Sequence, residues 1–504
     1  MSFSKNVITN YFSRFYNIII SIAIIPLYLK YLGTSAFSLI GLYALMQSWL
    51  SLLDIGLTPT LSREVAYFHN MDNGFLKIKQ LLRSLELLFF IINLILIFLI
   101  KFGSYWIAHH WLKVSGIDYS EVITCITIIG IMISCRFYAD LYRAGITGME
   151  EQVWLNSISI ILITLQYGGA YILVRFVTQI PSHFFEYQLI IAAIEPIFLG
   201  KKFYKIISTT TNPSFHFKTS LQTLKKILPL TSSFFYTAII WTILTQTDKL
   251  ALSHLLSLKT YGYFTLATII ASSILQCSAP ISMALLPKMT RLLSQGENEK
   301  MLQLYRQTTQ MIAVITLPLT GIIAIFGTEI VYLWTGNLSA ASWAGPIIFW
   351  YALGNGFLSL SAFQYYLQFS HGNLKFHVIF NTLLALISSP LIFFSAYHYG
   401  AKGTGIAWFL IQGITFFVWP PIVHHKFAAG VHKKWLLNDI FPIFAAVSIT
   451  LFCIKKIPIH FELINRLGNF TIIVGLTILV LMLSVPASST CRDYLISLFQ
   501  RKGI

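Results

Sequence analysis

Apolar runs of close to twenty residues recur from one end of this 504-residue sequence to the other, and they restrict the fold more than any other feature. Runs of that length match the thickness of a bilayer's hydrocarbon core. There, no water is available to the backbone, so every N–H and C=O must be satisfied within the segment or by a closed ring of strands. Spans of twenty rather than ten residues select helices. Composition agrees, with 56% hydrophobic residues, 11% charged residues and a mean hydropathy of +0.71, against about 25% charged in soluble domains. Hydropathy predicts about fourteen spans, near 11–32, 36–54, 84–104, 121–141, 155–176, 183–201, 229–254, 260–285, 308–334, 343–369, 376–397, 403–424, 438–455 and 468–486. The expected fold class is an all-α polytopic membrane protein, with two six-helix lobes plus two C-terminal helices. The longest connections, near 55–83 and 201–228, are too short to fold alone, which leaves no soluble catalytic domain.

The formal net charge of +17 has to be interpreted through topology. Cytoplasmic loops of membrane proteins collect Lys and Arg, and no arginine-rich tract interleaved with aromatics is present, so nucleic acid is not expected as a partner. With the N-terminus inside, the cytoplasmic segments would hold roughly 23 of the 35 Lys and Arg residues, and the opposite loops with their span ends roughly nine. Both termini are therefore expected in the cytoplasm. The N-terminal MSFSKNVITNYFSR lacks the apolar core and cleavage site of a signal peptide. Cys125, Cys135, Cys277, Cys453 and Cys491 are odd in number and mostly within apolar spans, and they are read as free thiols in cores.

The most basic loop, Lys201–Lys226, follows six spans and precedes eight. The expected organisation is an N-terminal lobe over 1–205, a basic cytoplasmic linker over 206–228, a second lobe over 229–430, and two further helices with a tail over 431–504. YLGTSAFSLIGLY and LLSLKTYGYFTL form a weak internal repeat, each joining a charged first span to a second through a short turn. Lobes related by a repeat place a substrate path between them in many transporters.

Charged and polar residues inside spans are the candidate functional groups, because a charge near the centre of a membrane helix costs roughly 2.5–3.5 kcal/mol on insertion scales. Asp248 and Lys249 stand side by side in the seventh span, and Thr242, Thr245, Lys249 and Ser253 share one helical face, with Gln246 a turn below Lys249. The pair either faces a wet cavity or marks a wet helix end where lysine snorkels. Other stripes are Asn10, Arg14, Asn17 and Ser21; Gln47, Ser51, Asp54 and Thr58; Arg136, Asp140 and Arg143; Thr265, Thr268, Ser272 and Gln276; and Asn355 with Ser359. Taken singly, the hydroxyl and amide stripes are also what helix–helix packing uses, and Arg14 and Arg136 can snorkel. At matching depth in several spans they would line a hydrated passage. Glu195, beside Pro196, and Glu86 are candidate coupling carboxylates, since burial favours the protonated form. His109–His110 and His424–His425 sit at span edges and are read as surface histidines rather than a zinc site. No Walker A motif, GxGxxG or nucleophile elbow occurs. No catalytic residue, metal or cofactor is expected.

Several segments carry a family resemblance. KYLGTSAFSLIGLYALMQSWLSLLDIGLTPTLSREVA (Lys30–Ala66) resembles the N-terminal signature of Wzx-type polysaccharide flippases, which belong to the multidrug/oligosaccharidyl-lipid/polysaccharide (MOP) exporter superfamily. YRAGITGMEEQVWLN, TQTDKLALS, IFGTEIVYLWTG and YGAKGTGIAWF agree in the same order. Ser38 stands where the family usually has a turn glycine. The resemblance implies a transporter, not an enzyme, that moves undecaprenyl-pyrophosphate-linked O-antigen or related units of lipopolysaccharide assembly across the bacterial inner membrane. A coupling ion, H+ or Na+, is implied, with membrane lipid, a polysaccharide polymerase and a chain-length regulator as partners. On that view Arg14, Arg136 and Lys249 would offset the desolvation of the pyrophosphate. Asn17, Gln47, Asp54, Asp140, Thr245, Gln246 and Asp248 complete the expected substrate path, and Glu195 is the coupling group. Competing readings are a cation-coupled drug exporter of the same superfamily and a membrane-embedded glycosyltransferase, polymerase or ligase.

The charge asymmetry is testable. Cysteines introduced at Ser214 and Gln500 should resist impermeant maleimides in intact cells and react after lysis. External labelling at either site reverses the orientation.

Overall fold

In the computed structural model, which describes residues 3–207 (save 55, 70 and 72), 217–457 and 466–493, the chain is a succession of helices, and no strand occurs among the described residues. In order they are α1 (Phe3–Leu50), α2 (Leu57–Phe68), α3 (Gly74–Trp106), α4 (Tyr119–Gly148), α5 (Gln152–Thr164), α6 (Ala170–Phe176), α7 (Pro181–Ile206), α8 (Phe217–Leu255) and α9 (Leu258–Ser294). Then follow α10 (Asn298–Ile325), α11 (Gly327–Thr335), α12 (Leu338–Ser361), α13 (Phe363–Ser370), α14 (Lys375–Phe427), α15 (Val431–Lys434), α16 (Phe441–Lys456) and α17 (Arg466–Ser484). Among the described residues eight helices are long and apolar enough to cross a membrane, so this is a multi-pass membrane protein. Two of them are long enough to hold two expected spans each. α1 changes direction at Gly33 (φ 80°, ψ 168°) and α14 at Gly400 (φ 59°, ψ −150°). That region of backbone space is essentially reserved to glycine. The turn after the first span is thus made by Gly33, while Ser38 is buried inside the helix and donates to the Ser35 carbonyl at 2.5 Å.

By internal contacts the chain divides into Met1–Gly262 and Tyr263–Ile504. In the first unit α4 is central, packed on α2, α3 and α7, while α5 lies on α1. The α4–α7 approach depends on Gly145, where a Cβ would come within 2.4 Å of the buried Phe203 ring. α8, the expected seventh span, packs in this unit against α1, α2 and α3. Of the expected linker over 206–228, residues 208–216 lie outside the described residues. Of the polar stripe of the first span, Asn10 serves packing: it donates to Gln152 Oε1 at 2.6 Å and accepts from Asn156 Nδ2 at 2.5 Å, joining α1 to α5.

In the second unit α12 packs on α14, α10 and α11, and α16 and α17 both pack on α10. Asn355 joins three helices, donating to the Ala271 carbonyl at 2.8 Å and accepting from Trp408 Nε1 at 3.0 Å. Ser359 donates to Thr316 Oγ1 at 3.2 Å. The stripe of the tenth span is therefore packing glue as well. Two sequence readings are corrected here. His424 is not a surface residue: it is fully buried, 2.8 Å from the Tyr305 hydroxyl and 3.1 Å from His432. Of the five free cysteines only Cys125 is buried, and Cys277 and Cys453 face outward. Helical phase decides both, and apolarity of the surrounding residues does not reveal it.

The buried carboxylate of Asp439 takes two bonds from Arg306, at 2.6 and 2.9 Å, and one from Gln310 at 2.7 Å. Gln310 Oε1 in turn accepts from Ser488 at 2.8 Å and from the Thr490 amide at 3.0 Å, which anchors the residues after α17. Breaking a buried pair from one side costs roughly 3–5 kcal/mol. Asp439→Ala should therefore lower the midpoint of thermal unfolding in detergent well beyond Asp493→Ala. The latter removes the surface pair Arg492–Asp493, whose carboxylate is 75% exposed, and should shift stability by less than about 0.5 kcal/mol.

Candidate functional site

Two of the stripes converge in the first unit. Gln47, Ser51, Asp54 and Thr58 from the end of α1 and the start of α2 face Arg136, Asp140 and Arg143 of α4 across a cavity of about 430 Å³. That size lies within the range of small-molecule sites. The chain makes this wall by ending α1 in a 3-10 turn, Ser51–Asp54, and restarting at α2 after Gly56 in the left-handed conformation. Asp54 then caps α2, accepting from the Thr58 amide at 3.1 Å and from the Thr58 hydroxyl. The positive end of a helix dipole favours a carboxylate there.

On the opposite wall Arg136 stands inside a 30-residue helix, about 18 Å from its Gly148 end and about 25 Å from its Tyr119 end at 1.5 Å per residue. It stands in the interior of α4 and not at its end. Its guanidinium carbon lies 5.7 Å from the centre of the Tyr43 ring, a cation–π approach. Arg136 Nε is buried and has no hydrogen-bond partner. The other charged groups are engaged. Arg143 pairs with the Glu195 carboxylate of α7, has Asp140 at 3.6 Å, and donates to Ser159 of α5 at 3.2 Å. Asp140 is 57% exposed to the cavity, whereas the Glu195 side chain is only 10% exposed. Among the charged residues that line the cavity, Arg136 alone has neither an ion pair nor a hydrogen bond among the described residues.

Gln47, Asp54, Arg136 and Asp140 are thus brought together, with Glu195 behind them through Arg143. Arg14 and Asn17 are exposed on α1 and do not line this cavity. Thr245, Gln246, Asp248 and Lys249 lie elsewhere, toward the end of the unit where Ser253 accepts from Trp111 Nε1 and His254 meets the Trp111 carbonyl. There Lys249 donates to the Thr245 carbonyl at 2.6 Å and has Asp248 at 3.5 Å, with Asp248 buried. Glu86 is held by the hydroxyls of Tyr142 and Tyr204, each at 2.7 Å, and braces α3 against α4 and α7. The sequence reading left off the site Arg143, Ser62 and Thr147, which line the cavity, and Tyr43, which lies against Arg136. Arg143 belongs to the same stripe as Arg136, but its pairing with Glu195, 52 positions away, has no local signal.

Comparison with known proteins gives the fold an identity. Residues 193–341 match the family model described as "Polysaccharide biosynthesis protein". A search of curated protein sequences finds no match. The structure is similar to that of the lipid II flippase MurJ in its inward closed conformation, at 16% identity and TM-score 0.73, covering 97% of this chain and 99% of that one. It also resembles an inward-facing multidrug resistance MATE family transporter of the MOP superfamily, at 14% identity, TM-score 0.61 and coverages of 83% and 96%. A MOP superfamily transporter from Pyrococcus furiosus, described as having a binding pocket of reverse polarity, aligns at 12% identity, TM-score 0.52 and coverages of 84% and 95%. The chain has the fold these transporters share.

If the cavity is hydrated, Ser51→Cys in a cysteine-free background should react with a water-soluble maleimide, since Ser51 is exposed on its wall. Ser253→Cys, at a buried position, should react at least about tenfold more slowly. Equal rates at the two positions would refute a wet cavity here.

Proposed function

We propose that the protein is a flippase that moves undecaprenyl-pyrophosphate-linked oligosaccharide repeat units, of O-antigen or a related polysaccharide, from the cytoplasmic to the periplasmic leaflet of the bacterial inner membrane. It works by alternating access, with both termini in the cytoplasm. The observation that carries this reading is Arg136, a cation with no ion pair among the described residues, on a cavity wall in the interior of the long apolar helix α4. A fixed positive charge there is costly unless an anion is to meet it. The match of residues 193–341 to a polysaccharide biosynthesis model and the likeness to a lipid II flippase point to the same class of substrate. A lipid-linked pyrophosphate supplies the anion, and its polyprenyl tail can remain in lipid while the head crosses.

The cavity accepts one polar part of the head, with Arg136 on the pyrophosphate and Gln47, Asp54 and Asp140 donating or accepting around it. Asn17, Thr245, Gln246 and Asp248 belong to later stages of the path, with Arg14 and Lys249 as further cations along it. Glu195 is the coupling carboxylate, for H+ or Na+, acting through its ion pair with Arg143. A drug exporter for cations would present an unengaged carboxylate in this place. Here Asp54 is capped by Thr58, and Asp140 and Glu195 face Arg143. A polysaccharide polymerase and a chain-length regulator are the expected partners downstream of the flipped product.

In a flippase-null strain, Arg136→Ala should reduce surface polysaccharide at least about tenfold, and Arg136→Lys should retain part of it, because lysine keeps the charge but not the fork. Lys249→Ala and Glu195→Gln should also impair export, with membrane insertion checked by immunoblot. Full surface polysaccharide from a correctly inserted Arg136→Ala protein would remove the carrying observation.

A further inference from the structure

By formal charge alone the cavity is a poor seat for an anion. Asp54, Asp140 and Glu195 bring three negative charges against the two of Arg136 and Arg143. What makes one cation available is the way the charges are paired. Asp140 stands four residues after Arg136 and three before Arg143, so both arginines are within helical reach of it. Its ion pair is with Arg143. An acidic residue placed N-terminal to its basic partner is the better arrangement on a helix, and the reverse order is the weaker one. Glu195, reaching in from α7, also pairs with Arg143, although both carboxylates act electrostatically on Arg136. Ser159 on α5 completes the hold on the Arg143 guanidinium.

We propose that Arg143 is a positioning residue of the substrate site: by engaging Asp140 and Glu195 together it keeps both carboxylates off Arg136, and so leaves Arg136 open to the anionic group of the substrate. The identity of that anion rests on the flippase reading above, whereas the arrangement of the charges does not. Loss of Arg143 releases two carboxylates beside Arg136, and they close on it. The binding defect then comes from recaptured charge rather than from a missing contact to substrate, and neutralising the carboxylates should repair it.

The test uses the purified full-length protein with two readouts. Modification of Arg136 by phenylglyoxal, followed by peptide mass spectrometry, reports whether its guanidinium is free of an ion pair. Binding of geranyl pyrophosphate reports whether it takes a polyprenyl pyrophosphate. Arg143→Gln should slow labelling of Arg136 roughly fivefold and weaken geranyl pyrophosphate binding roughly tenfold, the scale of a lost charge contact. The triple variant Arg143→Gln/Asp140→Asn/Glu195→Gln should return labelling of Arg136 to within about twofold of the wild type and raise geranyl pyrophosphate binding above that of Arg143→Gln. If Arg143→Gln does not fold, the double variant Arg143→Gln/Glu195→Gln replaces it: Asp140 remains charged there, and labelling of Arg136 should still be slower than in the triple variant. Labelling of Arg136 that is the same in the single or double variant as in the wild type overturns the proposal. So does a folded triple variant in which Arg136 stays protected, because Arg143 would then be a brace between helices and nothing more. Restored labelling in the triple variant, together with no geranyl pyrophosphate binding even in the wild type, upholds the positioning role and defeats the pyrophosphate reading instead.

Discussion

Inside a bilayer a polar group has no water to fall back on, and this governs the side chains of the protein as strictly as its backbone. The backbone responds by forming helices, broken only at points such as Gly33, Gly400 and the α1–α2 turn. The side chains respond in two ways. Some find partners across helices, as Asn10 does with Gln152 and Asn156, and Asn355 with Trp408 and the Ala271 carbonyl. Others face a cavity. Which of the two a polar residue does separates glue from function here.

The cavity follows from two local events. The 3-10 turn at Ser51–Asp54 ends α1 early and turns the start of α2, with Thr58 and Ser62, toward α4. The close approach of α4 to α7 at Gly145 then carries Glu195 to Arg143. Charge order does the rest. Carboxylates outnumber arginines around the cavity, yet the Thr58 bonds to Asp54 and the double engagement of Arg143 leave Arg136 with neither an ion pair nor a hydrogen bond among the described residues. A cation without an ion pair among the described residues thus stands within a group of formally negative total charge, because engagement and not the sum of charges sets what a ligand would meet.

The second unit uses charge differently. Asp439, Arg306 and Gln310 form a closed network that ties α10 to the start of the penultimate membrane helix and to the residues after α17. Its groups are satisfied by one another, so it reads as structural. Tyr305, His424 and His432 form a second buried polar cluster nearby in sequence to the same helices. Neither cluster was legible beforehand, since their members are separated by up to 180 positions, and His424, which the sequence does mark, carries no local signal of its partners.

Length and hydropathy were enough to specify helices, because the hydrocarbon core admits little else, and the expected spans fall largely on helical residues, with breaks at Phe326 and Ala362. Period was enough to place Arg136, Asp140 and Arg143 on one face of α4, because helical geometry is local, whereas Gln47, Ser51, Asp54 and Thr58 share a wall only through the 3-10 turn and the restart at α2. Period could not say which stripes would meet. The stripes of the first, eighth and tenth spans have the same spacing, yet Asn10, Asn355 and Ser359 are consumed in packing and Ser272 donates to its own backbone. Nor could it separate Asp248–Lys249, two charges within one helix, from a wall of the cavity. What a polar side chain faces depends on the neighbour that tertiary packing brings against it. That neighbour is non-local, and only the folded chain shows that Glu195 belongs to Arg143 and that Arg136 belongs to none of the carboxylates around it.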